Sequence, residues 1–587
     1  MPDGLPEASV IALATEVSGD AAKKNLEGVV KFHRERGSRG YHAAAELVAE
    51  RARAYGLADV QILQFPADGK IFYGTQRSRP AWDAESAELV EVAGSRRTTI
   101  ASYASEPIVL AEDSESADVA TELVDVGDGS KEADYAGKDV KGKIVLVATS
   151  ADAAQEMAVG KFGAVGIVSY QQNQKTAWSG DNQDQIRWGH LDTFSTHPTF
   201  AFMVSSNTAR TLKQRLASGE RIRLHASVKA GQHAASYEVV TAVIAGADPR
   251  LKEQEIAFSC HLDHQKPGAN DNASGCVTIL EVARTLQKLI GDGTLARPAR
   301  TIRFIWPPEV EGTVTLLNAR PDFAARIKAV VHMDMVGGGP ATQAVFHVTR
   351  GPPSLPSFVH DVAWDFAQWV NQQSYQFAAS GKSAYPMLAA GGGKEPLRAE
   401  SSPFSMGSDH EVYQDSSFAI TAIYLNDWPD RYIHTNLDSA ANIDATKLGR
   451  VAFIGAATGY ALANDDRISS GASAAVDAKA PPSQANGDGR LTFTRNKKLR
   501  GPLSVFGYDY FDDHAKSAGI ARPKLLDFEG IDGSGGDYAY EALNFADGKR
   551  SVQQIRDALS AEFGPVPLEL VVEYLGALER IGVVEKN

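Results

Sequence analysis

Between residues 17 and 65 the apolar positions recur first at helical spacing and then at strand spacing. The pattern predicts a helix, a turn at Arg36-Gly37-Ser38-Arg39-Gly40, a second helix to about Tyr55, and a strand over 60–65. Ala44, Leu47 and Val48 share one face of the second helix, and Gly56 is placed to end it. From about Glu106 to Gly231 the texture changes to short β-branched runs at 122–126, 143–147 and 165–169, parted by glycine-rich turns. That change predicts an inserted β-rich unit. An α/β pattern resumes from Glu238 to about Asn464, with buried-type strands expected at 255–259, 301–306, 329–335 and 420–425. An amphipathic segment over 276–290 lies between the first two as a crossover helix. The fold class is therefore α/β, with a mixed, largely parallel sheet flanked by helices.

The expected division is an α/β unit over 1–105 and 232–466, interrupted by the insertion at 106–231. Residues 467–489, rich in Ser, Ala, Gly and Pro, read as a linker. A last unit over 490–587 shows helical spacing at Ile555, Leu559 and Phe563 and again at Leu570, Tyr574 and Leu578. It resembles a small winged-helix-type unit. Its acidic residues outnumber its bases, which counts against DNA binding and leaves docking or homodimerisation as its expected work.

Composition narrows the function classes. The chain has 587 residues and a formal charge of -14, so it lacks the basic field that nucleic-acid and acidic-membrane partners require. Its two cysteines, Cys260 and Cys276, flank one motif and supply no disulfide framework; small buried thiols are expected there. The N-terminus has no basic stretch followed by an apolar one, and no run reaches the roughly 18 apolar residues of a membrane span. A soluble, cytoplasmic protein is expected, or a secreted or periplasmic one where a signal peptide has been removed.

Chemistry-bearing residues sit just past the expected strands. The first strand is followed by His261, Asp263 and Asp271, the second by Glu309 and Glu311; Asp334 ends the third, and His434 follows the fourth. In a sheet of this kind functional residues gather at the carboxyl ends of the strands. Imidazoles and carboxylates converging on one rim are suitable ligands for a borderline ion such as Zn²⁺, and Asp263 is placed to hold an imidazole N–H.

The motifs that carry these residues are similar to those of the M28 zinc peptidases. They are His33-Arg34-x-x-Gly37-Ser38, His261-x-Asp263, Gly268-Ala269-Asn270-Asp271-Asn272-x-Ser274-Gly275, Asp334-Met335-x-Gly337, Ser408-Asp409-His410 and His434-Thr435-x-x-Asp438. The resemblance implies a two-zinc site in which Asp271 bridges, His261 and Asp334 complete one ion, His434 helps hold the other, and Glu309 is the general base. It implies a peptide substrate and an aminopeptidase-like exopeptidase. A carboxypeptidase, a glutaminyl-cyclase-like enzyme and a catalytically silent scaffold are the alternatives.

One departure stands out. The family usually has two adjacent glutamates, base then ligand, whereas this chain reads Glu309-Val310-Glu311. Three readings follow: Glu311 serves as the metal ligand from a shifted backbone, Asp271 and His434 hold the second ion with water, or a single ion is used. For the substrate terminus, Asp409 is the candidate for an α-amine and Arg431 for an α-carboxylate. The insertion resembles a protease-associated domain through Asp139-Val140-x-Gly142-Lys143-Ile144-Val145-Leu146 and Gly163-Ala164-Val165-Gly166-Ile167, and its loop with Trp178 and Trp188 is a candidate lid.

Overall fold

The computed structural model describes residues 1–173, 182–470 and 487–587. Its main sheet has eight strands: β1 (Ala58–Ala67), β2 (Ala235–Ile244), β3 (Glu255–Ser259), β4 (Thr301–Trp306), β5 (Ile327–Asp334), β6 (Val345–Thr349), β7 (Glu400–Ser402) and β8 (Thr421–Trp428), in the order β1-β2-β4-β3-β5-β8-β6-β7. The central run β4-β3-β5-β8 is parallel throughout, while β2 and β6 flank it antiparallel. The carboxyl ends of four strands therefore open on one side, as the expected strand set requires.

Alternation along the central strands explains the layers. Ile256, Phe258, Ile302, Phe304, Ala329 and Val331 share one core with the helices α1 (Glu7–Glu16), α2 (Gly19–Val29), α3 (Arg39–Ala54), α4 (Gly275–Gly291), α6 (Val359–Ser380) and α7 (Ala445–Asn464). Ala257, Ile305 and Val330 point the other way, onto α5 (Glu311–Ala319) through Val314 and Leu317. Every residue of β3 and β4 is buried, which is why they read as continuous apolar runs. Burial of each such Ile or Phe side chain contributes about 1.5–3 kcal/mol. Helix α7 approaches the sheet closely because two of its residues lack a side chain: a Cβ on Gly459 would stand 2.3 Å from the Phe258 ring, and one on Gly455 2.2 Å from the Met333 side chain.

A second sheet of seven strands holds the expected β-rich runs in Ala117–Gly127, Ile144–Val147 and Gly166–Ser169. It also takes in Ala81–Ala93 and Arg96–Ser102, a hairpin turning at Gly94, and closes with Arg223–His233. The unit thus begins near Ala81 rather than at the expected 106. The long ladder of Ala81–Ala93 against Arg223–His233 draws the hairpin into this sheet, a pairing across more than a hundred residues that local texture cannot reveal. Trp178 lies outside the described residues.

The C-terminal unit has three antiparallel strands, Thr492–Arg495, Asp547–Ser551 and Val584–Lys586, packed with helices Tyr510–Ala518, Gly535–Asn544, Val552–Phe563 and Leu568–Arg580. Ile555, Leu559, Phe563, Tyr574 and Leu578 are buried as the helical spacing predicts, and Leu570 is half-buried against them. The same core includes Phe404, from the stretch between β7 and β8. Tyr540 donates its hydroxyl to the Glu411 carbonyl at 2.7 Å, and Arg495 Nη1 donates to Asp415 Oδ2 at 2.8 Å. Of the expected linker, residues 471–486 lie outside the described residues.

Candidate metal centre

Four loops at the carboxyl ends of β3, β4, β5 and β8 bring the expected residues together. His261 Nε2 lies 3.1 Å from Asp271 Oδ1, 3.3 Å from Asp334 Oδ1 and 3.8 Å from Glu309 Oε1. Asp271 turns its other oxygen away: Oδ2 is 2.9 Å from His434 Nε2 and 3.4 Å from His264 Nε2. The donors fall into two groups of converging atoms, His261, Glu309 and Asp334 on one side and His264, Asp271 and His434 on the other. Asp271 stands between them with one oxygen facing each.

The Gly268–Gly275 motif is the device that sets Asp271 against Asp334. Asn270 Oδ1 accepts the Gly337 N–H at 2.9 Å, Ser274 Oγ accepts that of Val336 at 2.9 Å, and Asn272 Nδ2 donates to the Met333 carbonyl at 3.0 Å. Three polar side chains thus lace this loop to the end of β5. From the opposite side Asp438 accepts the N–H of Asn270 through Oδ1 at 2.7 Å and that of Asp271 through Oδ2 at 3.0 Å. Every one of these groups is buried, so each bond is expensive to lose.

Electrostatics match the geometry. Burial pushes the Glu309 carboxyl well above its ordinary range, with the charges of Asp334, Asp271 and Asp409 adding to it. Burial works against charge on His261 too, but the surrounding Glu309 and Asp334 outweigh it and hold its imidazole well above the usual value. Burial lowers His434 to about 4 against the pull of Asp271. His261 Nε2, His264 Nε2 and Asp334 Oδ1 are buried without a hydrogen-bond partner. Lone pairs crowded so closely and aimed past one another, rather than bonded to one another, fit a divalent cation of the borderline class.

Asp263 takes up a positioning place. Its Oδ1 accepts the Glu309 N–H at 2.6 Å, and His261 Nδ1 lies 3.1 Å from its carbonyl and 3.5 Å from its carboxylate. Glu311, expected as a metal ligand, is not among these converging donors. Val310 adopts a left-handed backbone (φ 53°) with its N–H held by Asp409 Oδ1 at 2.8 Å, and Glu311 opens α5. There it is buried against two arginines, with Oε2 3.0 Å from Arg36 Nε and Oε1 against Arg79 Nε.

Asp409 is likewise fully buried. Arg431 is partly buried, its guanidinium 5.7 Å from the Tyr432 ring centre. Cys260 and Cys276 are buried free thiols, and Cys276 Sγ donates to the His261 carbonyl at 2.9 Å. The residue that sequence reasoning missed is His264. Its signal was a second histidine three positions past His261, in a chain already short of one ligand. Trp188, from the second sheet unit, packs on the centre with its ring centre 3.7 Å from that of His434 and 4.9 Å from that of His264.

Comparison with known proteins bears on the family and the fold. Residues 240–458 match the model of Peptidase family M28. Among solved structures the chain is similar to BSAP, a zinc aminopeptidase from Bacillus subtilis, at 16% identity and a TM-score of 0.51 over 76% of this chain and 95% of that one. It is similar to a peptidase M28 precursor from Shewanella amazonensis at 15% and 0.54, over 78% and 96%. A Clostridium acetobutylicum chain put forward as a peptidase aligns at 13% and 0.52, over 99% and 98%. At these identities the likenesses show the fold. No curated protein matches the chain.

Proposed function

We propose, with the M28 peptidase match over residues 240–458 as premise, that this chain is a zinc-dependent exopeptidase of the aminopeptidase kind. The observation that carries the reading is the convergence of His261, Asp271, Asp334 and Glu309 on one rim, with buried donor atoms left unpartnered. His261, Asp271 and Asp334 would hold a zinc ion. When bound, the ion supplies Lewis-acid polarisation of the scissile carbonyl and acidifies the attacking water. Glu309 Oε1 takes the water's proton and returns it to the leaving amine. Asp263 keeps the Glu309 backbone and the His261 ring in register.

A free N-terminus is the end that suits these surroundings. Among the described residues, Arg34 donates to the carbonyls of Leu262 and Gly268, and Arg36 pairs with Glu112 and Glu311, so these two guanidiniums are committed to protein partners. The likeness in fold to a zinc aminopeptidase supports the choice of that end. The test compares peptides with free and acetylated N-termini, before and after chelation. Release of the first residue from free peptides alone, lost with chelator and restored by Zn²⁺, is expected. Undiminished hydrolysis with metal shown to be absent would overturn the reading.

A further inference from the structure

We propose that His264 is a metal ligand, forming with Asp271 and His434 a second position in which an imidazole stands for the carboxylate that Val310 removes. The proposal rests on the reading above only in taking a divalent cation to belong at this rim. Its first support is geometric. His264 Nε2 and His434 Nε2 both approach Asp271 Oδ2, at 3.4 and 2.9 Å, while His261 approaches Oδ1. The second is chemical. His264 is 5% exposed, and its Nδ1 is within hydrogen-bond distance of the Gln265 carbonyl, which can only accept. The proton therefore sits on Nδ1, and the Nε2 lone pair, buried and unpartnered, is directed at the Asp271 carboxylate. That tautomer is the one that ligates, with a carbonyl steadying the other nitrogen.

The third support is that Glu311 is unavailable. It is 1% exposed and bound by Arg36 and Arg79, so bringing it to the centre would strip two buried guanidiniums of their partner. His264 is held in place by backbone bonds on both sides, its N–H donating to the Arg34 carbonyl at 3.1 Å and its carbonyl accepting from Arg34 N–H at 2.9 Å. Trp188 then closes the position: its N–H donates to the His434 carbonyl at 2.9 Å while its indole stacks on both imidazoles. The two positions differ in donor chemistry. The His261 position offers one imidazole and the carboxylates of Asp271 and Asp334, whereas the His264 position offers two imidazoles and a shared carboxylate. Borderline ions such as Zn²⁺ and Co²⁺ suit both, and hard, oxygen-seeking Mn²⁺ suits only the first.

The experiment counts metal on the full chain, by titration of the chelated protein and elemental analysis after dialysis. Wild type should take two Zn²⁺ but one Mn²⁺ per chain. His264→Ala should take one Zn²⁺, while His264→Glu, which returns a carboxylate, should regain the second. Two Zn²⁺ retained by His264→Ala would overturn the proposal, as would a single Zn²⁺ in wild type that His264→Ala leaves in place; either result leaves the peptidase reading standing. No metal at all in wild type would remove both.

Discussion

Glu311 Oε2 lies 3.0 Å from Arg36 Nε, with both side chains almost wholly withdrawn from solvent. Arg36 also pairs with Glu112 of the second sheet unit, so this carboxylate is part of a buried charge network joining three stretches of chain. Its partner Arg79 lies in the stretch between β1 and that sheet. A carboxylate set this deeply among cations is committed to them, since its removal leaves guanidiniums buried and uncompensated.

Glu311→Ala is accordingly expected to cost about 3–5 kcal/mol of stability, the range for breaking a buried ion pair from one side. Zn²⁺ stoichiometry in the fraction that folds should match wild type. Denaturant melts alongside metal counting check this, and loss of one ion with an unchanged melt would return Glu311 to the metal site.

Glu309→Gln keeps the size of the side chain and loses its capacity to accept a proton. Turnover should fall roughly 10²- to 10⁴-fold, the usual contribution of a general acid–base group. Metal content and the melting transition should stay near wild type. Rates within a few-fold of wild type would take Glu309 out of proton transfer.

Asp438→Ala should loosen Asp271 without touching it, because the Asp438 carboxylate accepts the backbone N–H groups of both Asn270 and Asp271. Changes to such supporting groups typically cost roughly 10- to 100-fold in metal affinity or activity. Competition with a chromogenic chelator measures the effect, and unaltered affinity would show that the Asn270, Asn272 and Ser274 contacts suffice.

Acid should destabilise the chain partly through His410, which is fully buried, stacked on Tyr424 at 4.0 Å and bonded to the Ser405 carbonyl at 2.7 Å. Burial lowers its pKa from 6.5 to about 4. Below about 6.5 the unfolded chain takes up a proton that the folded chain refuses. The stability this histidine contributes is thus intact above that pH and is lost progressively as the pH falls toward 4, to a total of about 3 kcal/mol. Melts of the chelated protein between pH 7 and 4.5 should show a shallower acid limb in His410→Gln than in wild type. Parallel limbs would mean that His410 takes no part in it.

The central sheet was legible because its strands are buried on both faces, and burial writes itself into sequence as the apolar runs 255–259 and 301–306. That His261, Asp271, Glu309, Asp334 and His434 gather on one rim could be read from their places just past those strand ends, while the role of each came only from the resemblance to the M28 zinc peptidases. What remained hidden depends on direction rather than position. A sequence gives Glu311 one residue from Val310 but not the left-handed turn at Val310 that sends it to Arg36 and Arg79. His264 was hidden in the same way, since only the fold of the 261–268 loop turns its ring toward Asp271. The early start of the second sheet at Ala81 was hidden by the long chain separation between paired strands.

The seam between the C-terminal unit and the rest of the chain carries a consequence for how the molecule would behave when cut. Phe404 lies in the C-terminal core, Arg495 is bonded to Asp415, and Thr75 donates to the Pro502 carbonyl at 2.8 Å. These contacts do not depend on covalent continuity through residues 471–486. A protease acting between those residues would yield two bands on a denaturing gel and one particle in native chromatography. The fragments would travel as a noncovalent pair, and expressing them from separate genes would be a route to reassembling the whole.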